Sequence, residues 1–214
     1  MSLDILSKYQ GKVDAFKQSY VPWRGKYLSI MDRDLVFYLI WGHAINNDMM
    51  LRTLRKLIPG SEVWIDTETK KEIAQKLCDE IITYLKDGAP DGFDNWHKRV
   101  CREFLKDFND RLLAGKYHPI AYGKAQKVVN MTFKYLSSCD DAQAYAERFK
   151  DCHMPLDRNT LDWYYTNVCP QVKKSHRLAW SNLTEEEYFE IQNNIRAFLA
   201  KSGETPLEAE WRIW

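Results

Sequence analysis

Several sequence features that would indicate a function are missing from this chain. Its five cysteines are odd in number and form no Cys-x-x-Cys pair, so we expect reduced thiols rather than a disulfide framework, a zinc site or an iron–sulfur cluster. The sequence contains no Gly-x-Gly-x-x-Gly run, no P-loop and no His-Glu-x-x-His, which argues against nucleotide hydrolysis and against a zinc hydrolase. We therefore expect neither a metal nor a cofactor.

An excess of one charge and long apolar runs are also missing. The chain has 31 Lys and Arg residues and 30 Asp and Glu residues, for a net charge of +1. It therefore lacks the strong positive charge of a protein that coats nucleic acid. No apolar run is long enough to span a bilayer, and we see no signal peptide. We predict a cytoplasmic protein with no membrane partner, and no obligate protein partner is evident.

Apolar and aromatic residues, in contrast, are plentiful and follow a helical pattern. They supply 45% and 14% of the 214 residues, enough for a large core. Three-to-four spacing and capping residues predict helices near 33–57, 67–86, 93–114, 124–137, 140–150, 158–168, 185–201 and 206–213. No segment alternates like a strand. We predict an all-α fold over residues 1–214, built as one domain or as two closely packed lobes.

Two segments carry the residues with chemical potential. In 118–133, a loop with Pro119 and Gly123 precedes a helix that has Lys127 in its first turns. In 153–163, Pro155 stands two residues before Asp157, which precedes the next helix. The structural alternatives are a solvated lysine stripe for Lys127 and an ordinary N-cap for Asp157. Capping and catalysis are compatible, because a cap holds a carboxylate rigid and ionised.

The helix after Gly123 has two distinguishable faces. We expect a buried face formed by Ala125, Val128, Val129, Thr132 and Leu136. We expect a second face, not claimed by the core, formed by Lys124, Lys127, Met131 and Lys134.

The order of these features resembles the core of the helix-hairpin-helix DNA glycosylases, and most of all the archaeal 8-oxoguanine DNA glycosylase branch, over about residues 115–169. In that superfamily a lysine on the second helix of the hairpin and an aspartate before a later helix perform the chemistry. Gln126 directly before Lys127, and the 30 residues from Lys127 to Asp157, are similar to the archaeal branch. The hairpin departs from the usual Leu-Pro-Gly-x-Gly-x-Lys form, because Gly123 is the only glycine in the loop directly before the lysine.

This resemblance implies a helix-hairpin-helix glycosylase-like fold and a DNA glycosylase with AP-lyase activity in base excision repair. The substrate would be a base flipped from double-stranded DNA, with 8-oxoguanine as the best match. Lys127 and Asp157 would be catalytic. The implied DNA-binding residues are Gly123, Lys124, Gln126, Lys134, His153 and Arg158, and the aromatic candidates for base stacking are Trp23, Tyr27 and Trp163. The alternatives are a hypermodified phage base as substrate, or a non-catalytic helical module that binds DNA or a protein.

Overall fold

The computed structural model of the chain describes residues 5–20, 26–58, 60 and 65–214. Within these ranges the regular structure is helical, and β pairing is limited to one isolated bridge between Lys56 and Tyr117. The prediction of an all-α fold is confirmed. None of the helices in these ranges combines the length and the apolar character that crossing a membrane requires.

Ten α-helices succeed one another through the described residues. In chain order they are α1 (Ile5–Lys8), α2 (Gln10–Tyr20), α3 (Arg33–Tyr38), α4 (Thr67–Asp87), α5 (Phe93–Asp107), α6 (Tyr122–Leu136), α7 (Ala146–Phe149), α8 (Arg158–Asn167), α9 (Glu185–Leu199) and α10 (Pro206–Ile213). Helices α3 and α5 continue as π-helical stretches over Leu39–Asp48 and Phe108–Leu113. Single 3-10 turns cover Leu51–Thr53, Ala142–Tyr145, Lys174–His176 and Trp180–Asn182.

The described helices depart from the predicted ones at three places. The helix predicted over 33–57 ends its π-helical part at Asp48, because Met50 adopts a left-handed conformation (φ 57°, ψ 53°) that a right-handed helix does not contain. The segment 140–150 is divided between a 3-10 turn and the short α7. Helix α2 lies outside every predicted helix. The other predicted helices are present with small shifts at their ends.

Helix α6 runs through the centre of the molecule. It packs against the π-helical stretch after α3, against α5 and α9, and against the turn Trp180–Asn182. As predicted, one face is buried, with Ala125, Val128, Val129, Thr132 and Leu136. The prediction of a second face outside the core is wrong. Neighbouring elements enclose the helix on every side and also bury Lys124, Lys127, Met131 and Lys134.

Polar N-caps fix the starts of α8, α9 and α10. The Oδ1 atom of Asp157 accepts the Thr160 N–H at 2.9 Å, and the Thr160 hydroxyl accepts the Asp157 N–H at 2.7 Å. A second capping box lies at Thr184, with Glu187 as its partner. Because both ends of each box are bonded, the first turns of α8 and α9 are held in register.

Gly123 allows α6 to approach the chain near Trp180 at backbone contact. The Gly123 N–H donates to the Leu183 carbonyl at 3.0 Å. A Cβ at position 123 would lie 1.7 Å from the Trp180 carbonyl oxygen. The glycine is therefore required by packing, since only a residue without a side chain leaves room for that carbonyl.

Replacement of Gly123 should thus be costly. We expect Gly123→Ala to lower the free energy of unfolding by at least about 2 kcal/mol, because the backbone at Trp180 must move. Urea denaturation followed by circular dichroism measures the change. The matched control is Gly11→Ala in α2, where a Cβ meets nothing within 4 Å and stability should be unchanged or slightly higher. Equal stabilities for the two variants would contradict the packing argument.

Candidate active site

Lys127 and Asp157 meet at the junction of two helices. Lys127 lies in the second turn of α6, and Asp157 is the N-cap of α8. The Lys127 Nζ is 2.9 Å from Asp157 Oδ2, while the other carboxylate oxygen is used by the cap. The Lys127 side chain is 6% exposed and that of Asp157 is 30% exposed. The pair is thus closed on the lysine side and open to solvent on the aspartate side.

The Asp157 carboxylate is ionised at neutral pH. Burial by itself would raise its pKa, but the charge of Lys127 and the hydrogen bonds from Lys127 and Thr160 outweigh burial and hold the pKa below its ordinary value. A carboxylate with a lowered pKa is a weak base. It is better suited to stabilise a nearby positive charge than to store a proton.

Gln126 ties the Asp157 segment to α6. Its Nε2 donates to the Leu156 carbonyl at 2.8 Å, and its Oε1 accepts the Leu156 N–H at 3.1 Å. The same Oε1 accepts a hydrogen bond from Asn130 at 2.9 Å. The side chain is fully buried and both ends are occupied. Gln126 thus positions the residue before Asp157, and a direct contact of Gln126 with DNA stays a prediction.

A second carboxylate, which the sequence analysis did not identify, also faces this region. Asp48 ends the π-helical stretch and accepts a hydrogen bond from the Tyr135 hydroxyl at 2.7 Å. Burial raises the pKa of Asp48, and the charge of Lys127 acts in the opposite direction. The only signal for this carboxylate in the sequence was an aspartate three residues after the mainly apolar run 35–45. An aspartate in that position is equally typical of the end of a helix.

Lys134, two turns further along α6, lies in an enclosure of aromatic rings. Its Nζ is 2.5 Å from Glu210 Oε1, and the two side chains are 1% and 4% exposed. The ammonium group is 4.9 Å from the ring centres of Phe16 and Trp214 and 5.2 Å from that of Trp211. Among the described residues, no group donates to the second carboxylate oxygen, Glu210 Oε2. This oxygen is a buried acceptor without a donor.

The sequence analysis placed base stacking elsewhere. Tyr27 is 71% exposed, and Trp163 packs edge-on against Phe198. Trp23 lies outside the described residues. The pattern that marks the enclosure lies at the end of α10, where Glu210 stands four residues before the C-cap residue Trp214.

The other residues predicted to bind DNA are of two kinds. Gly123 and His153 are buried with their polar groups already bonded, so they offer nothing to a DNA backbone in this conformation. Lys134 is equally remote from the surface, and only a base that enters its aromatic enclosure could reach it. Arg158 is exposed beside Asp157, and Lys124 lines a surface cleft.

His153 belongs to a buried polar network. Its Nδ1 lies 2.6 Å from the Tyr188 hydroxyl and its Nε2 lies 2.8 Å from Asp94 Oδ1. Arg196 holds the same Asp94 carboxylate with two hydrogen bonds of 2.8 and 2.6 Å. Burial lowers the pKa of His153 to about 4, although Asp94 acts against it. The imidazole is therefore neutral at pH 7, and Arg196 supplies the positive charge that balances Asp94.

A cleft of about 660 Å³ lies in the described surface beside the start of α6. Residues from 53–55, 118–121 and 180–182 line it, together with Met50 and Lys124. The described residues contain no group of three or more His, Cys, Asp or Glu side chains that could hold a metal ion.

Comparison with known proteins adds no relative to this picture. The chain has no significant match to a protein-family model, to a curated protein or to a solved structure. The functional argument therefore depends on the geometry of the site and on the sequence pattern.

The neutral His153 makes stability depend on pH. In the unfolded chain His153 binds a proton near the ordinary pKa of 6.5, and in the folded chain it does so only near 4. The stability that is present above pH 6.5 is therefore lost as the pH falls towards 4. The difference corresponds to about 3 kcal/mol. His97, whose pKa burial also lowers, acts in the same direction. Urea denaturation at a series of pH values should show the loss.

Two variants assign this pH dependence. His153→Gln should be less stable at neutral pH but should lose less stability between pH 6.5 and 4 than the parent protein. The control His176→Gln, at an exposed position, should retain the full loss. An unchanged slope in His153→Gln would assign the effect to another group.

Proposed function

We propose that this protein is a helix-hairpin-helix DNA glycosylase with AP-lyase activity, which removes a damaged or modified base from double-stranded DNA. The observation that carries the proposal is the 2.9 Å contact between Lys127 Nζ and Asp157 Oδ2. The sequence resemblance nominated these two residues from separate segments, and a solvated lysine stripe beside an unrelated cap would not require them to meet. Their contact at the starts of two helices supports the nomination.

Lys127 would act as the nucleophile on a flipped nucleotide. After its ammonium group releases a proton, Nζ forms a bond to C1′ while the bond from C1′ to the base breaks. The base leaves with the electron pair and is protonated. Opening of the sugar ring gives a Schiff base, and loss of a C2′ proton then breaks the bond to the 3′ phosphate oxygen. Water hydrolyses the remaining imine and returns the free lysine.

Asp157 would act mainly through its charge. The sugar becomes positively charged as the base departs, and a rigid, ionised carboxylate beside it lowers the energy of that state. The lowered pKa of Asp157 favours this role over proton storage. The side of the pair that is open to solvent is the Asp157 side, which gives a sugar a direction of approach.

The aromatic enclosure of Lys134 is the best candidate for receiving the base. It lies on the same helix as Lys127, and the charges of Lys127 and Glu210 influence one another. The ammonium group can donate to a carbonyl oxygen, and the unpartnered Glu210 Oε2 can accept from a ring N–H. A guanine-type base carries both groups, and Trp214, which is 49% exposed, forms the wall nearest to solvent. This combination favours a base that has both a carbonyl oxygen and a ring N–H, such as an oxidised guanine, over adenine or cytosine.

A non-catalytic helical module is the second candidate. The observation in its favour is that the Lys127–Asp157 contact is also a half-buried ion pair that joins two helices. Such a pair has a structural role without any reaction. The two candidates differ in whether a covalent bond forms at Lys127.

Borohydride reduction distinguishes them. Duplexes that each contain one 8-oxoguanine, uracil, alkylated base, abasic site or glucosylated cytosine are incubated with the protein and reduced, and a covalent complex is sought by gel electrophoresis. We expect a complex with at least one duplex, and we expect Lys127→Gln to abolish it while some DNA binding remains. The control Lys86→Gln, exposed at the end of α4, should trap normally. Trapping by Lys127→Gln would exclude this nucleophile.

Asp157 is tested by an isosteric change. Asp157→Asn keeps a residue that caps a helix well but removes the charge, so we expect the rate of base release to fall by about 10²–10³. It also leaves the buried Lys127 ammonium without its carboxylate, so thermal unfolding is used to verify that the variant is folded. The control Asp162→Asn changes an exposed aspartate one turn later in α8. Single-turnover assays on the trapped substrate measure both rates. Equal rates for the two variants would remove Asp157 from the reaction.

A further inference from the structure

The cleft beside the start of α6 has a composition that the Lys127–Asp157 site does not explain. Arg55 and His118 line it with exposed side chains, and among the described residues neither forms an ion pair with a carboxylate. None of the described residues that line it carries a carboxylate. We propose that this cleft binds a nucleotide unit, with its phosphate at Arg55 and His118 and its base against Trp180.

Trp180 supplies the flat surface that a base requires. Its ring lies 5.4 Å from the Lys124 Nζ, which is itself held by a 2.6 Å hydrogen bond to the Met49 carbonyl. The left-handed Met50 turns the chain at this point and directs that carbonyl towards α6. Trp180 is thus half-buried beside an anchored lysine, with polar groups of Ser181 next to it. A base stacks on such a ring whatever its identity.

The loop before α6, residues 118–123, offers few free backbone donors to a phosphate. The N–H groups of His118, Ile120 and Gly123 already donate to Arg55 O, Asn109 Oδ1 and Leu183 O, at distances of 2.9 to 3.0 Å. Backbone groups that are satisfied within the protein do not bind an anion as well. The donors for a phosphate must therefore come from side chains. Arg55 and His118 line the cleft, whereas the Lys124 ammonium, also on its wall, already donates to the Met49 carbonyl.

The cleft volume and position fit one nucleotide next to the reacting one. About 660 Å³ is within the range of small-ligand sites. Lys124, on its wall, is three residues before Lys127 on α6, so the two side chains are neighbours on the helix surface. The nucleotide could belong to a DNA strand or be free in solution. The first source depends on the proposed function, and the second does not.

Fluorescence anisotropy tests the cleft without reference to catalysis. A labelled single-stranded hexanucleotide and a labelled duplex are titrated against the parent protein, Arg55→Gln/His118→Gln and Trp180→Leu at several salt concentrations. Unlabelled deoxyguanosine monophosphate is added as competitor in a separate arm. The control is Arg52→Gln, an exposed arginine outside the cleft. Thermal unfolding verifies that each variant is folded.

We expect the double variant to weaken DNA binding roughly tenfold and to reduce the dependence of log K on log salt by about one to two. Trp180→Leu should weaken binding of the single strand more than binding of the duplex, and Arg52→Gln should change the binding of neither. Competition by the mononucleotide that is lost in Trp180→Leu identifies a free nucleotide as the ligand, and its absence identifies a strand. Binding unchanged in both cleft variants, with no competition, overturns the proposal. The borohydride trapping experiment depends on Lys127 and not on the cleft. If trapping fails, the binding result for the cleft still stands.

Discussion

Burial of lysine side chains along one helix is the constraint on which this structure depends. Helix α6 is enclosed on all sides, and each ammonium group inside requires a partner, because an unpaired buried charge is very costly. Lys127 pairs with Asp157, Lys134 with Glu210, and Lys124 with a backbone carbonyl. These contacts determine where α8, α10 and the end of the π-helical stretch can lie around α6.

The same constraint gives the candidate site its rigidity. Gln126, adjacent to Lys127, is joined through Asn130 to His97, with hydrogen bonds of 2.9 and 3.0 Å. The Tyr188 hydroxyl bonds to Asn130 and to His153. His153 in turn contacts Asp94, which forms an ion pair with Arg196. A network whose members are all bonded holds its side chains in one arrangement. Lys127 and Asp157 are thus supported by a polar core rather than by loops.

Helix positions could be predicted from the sequence, because periodicity and capping are local properties. Lys127 and Asp157 were nominated by the family resemblance, and their role in catalysis stays a prediction; the structure adds that the two side chains are in contact. Burial of Lys134 could not be predicted, since its enclosure is built from α2 and α10, which lie far from it in the chain. Asp48 was missed for the same reason. Local sequence does not indicate which distant carboxylate will lie beside a buried lysine.

The Lys134–Glu210 pair also has a consequence for the order of folding during synthesis. Glu210 follows Lys134 by 76 residues, so a nascent chain that has completed α6 still lacks the carboxylate and two of the rings that surround this ammonium group. Until α10 leaves the ribosome, Lys134 can remain charged only where water reaches it. The centre of the molecule therefore closes late, and a ribosome-bound intermediate would keep this end of α6 hydrated.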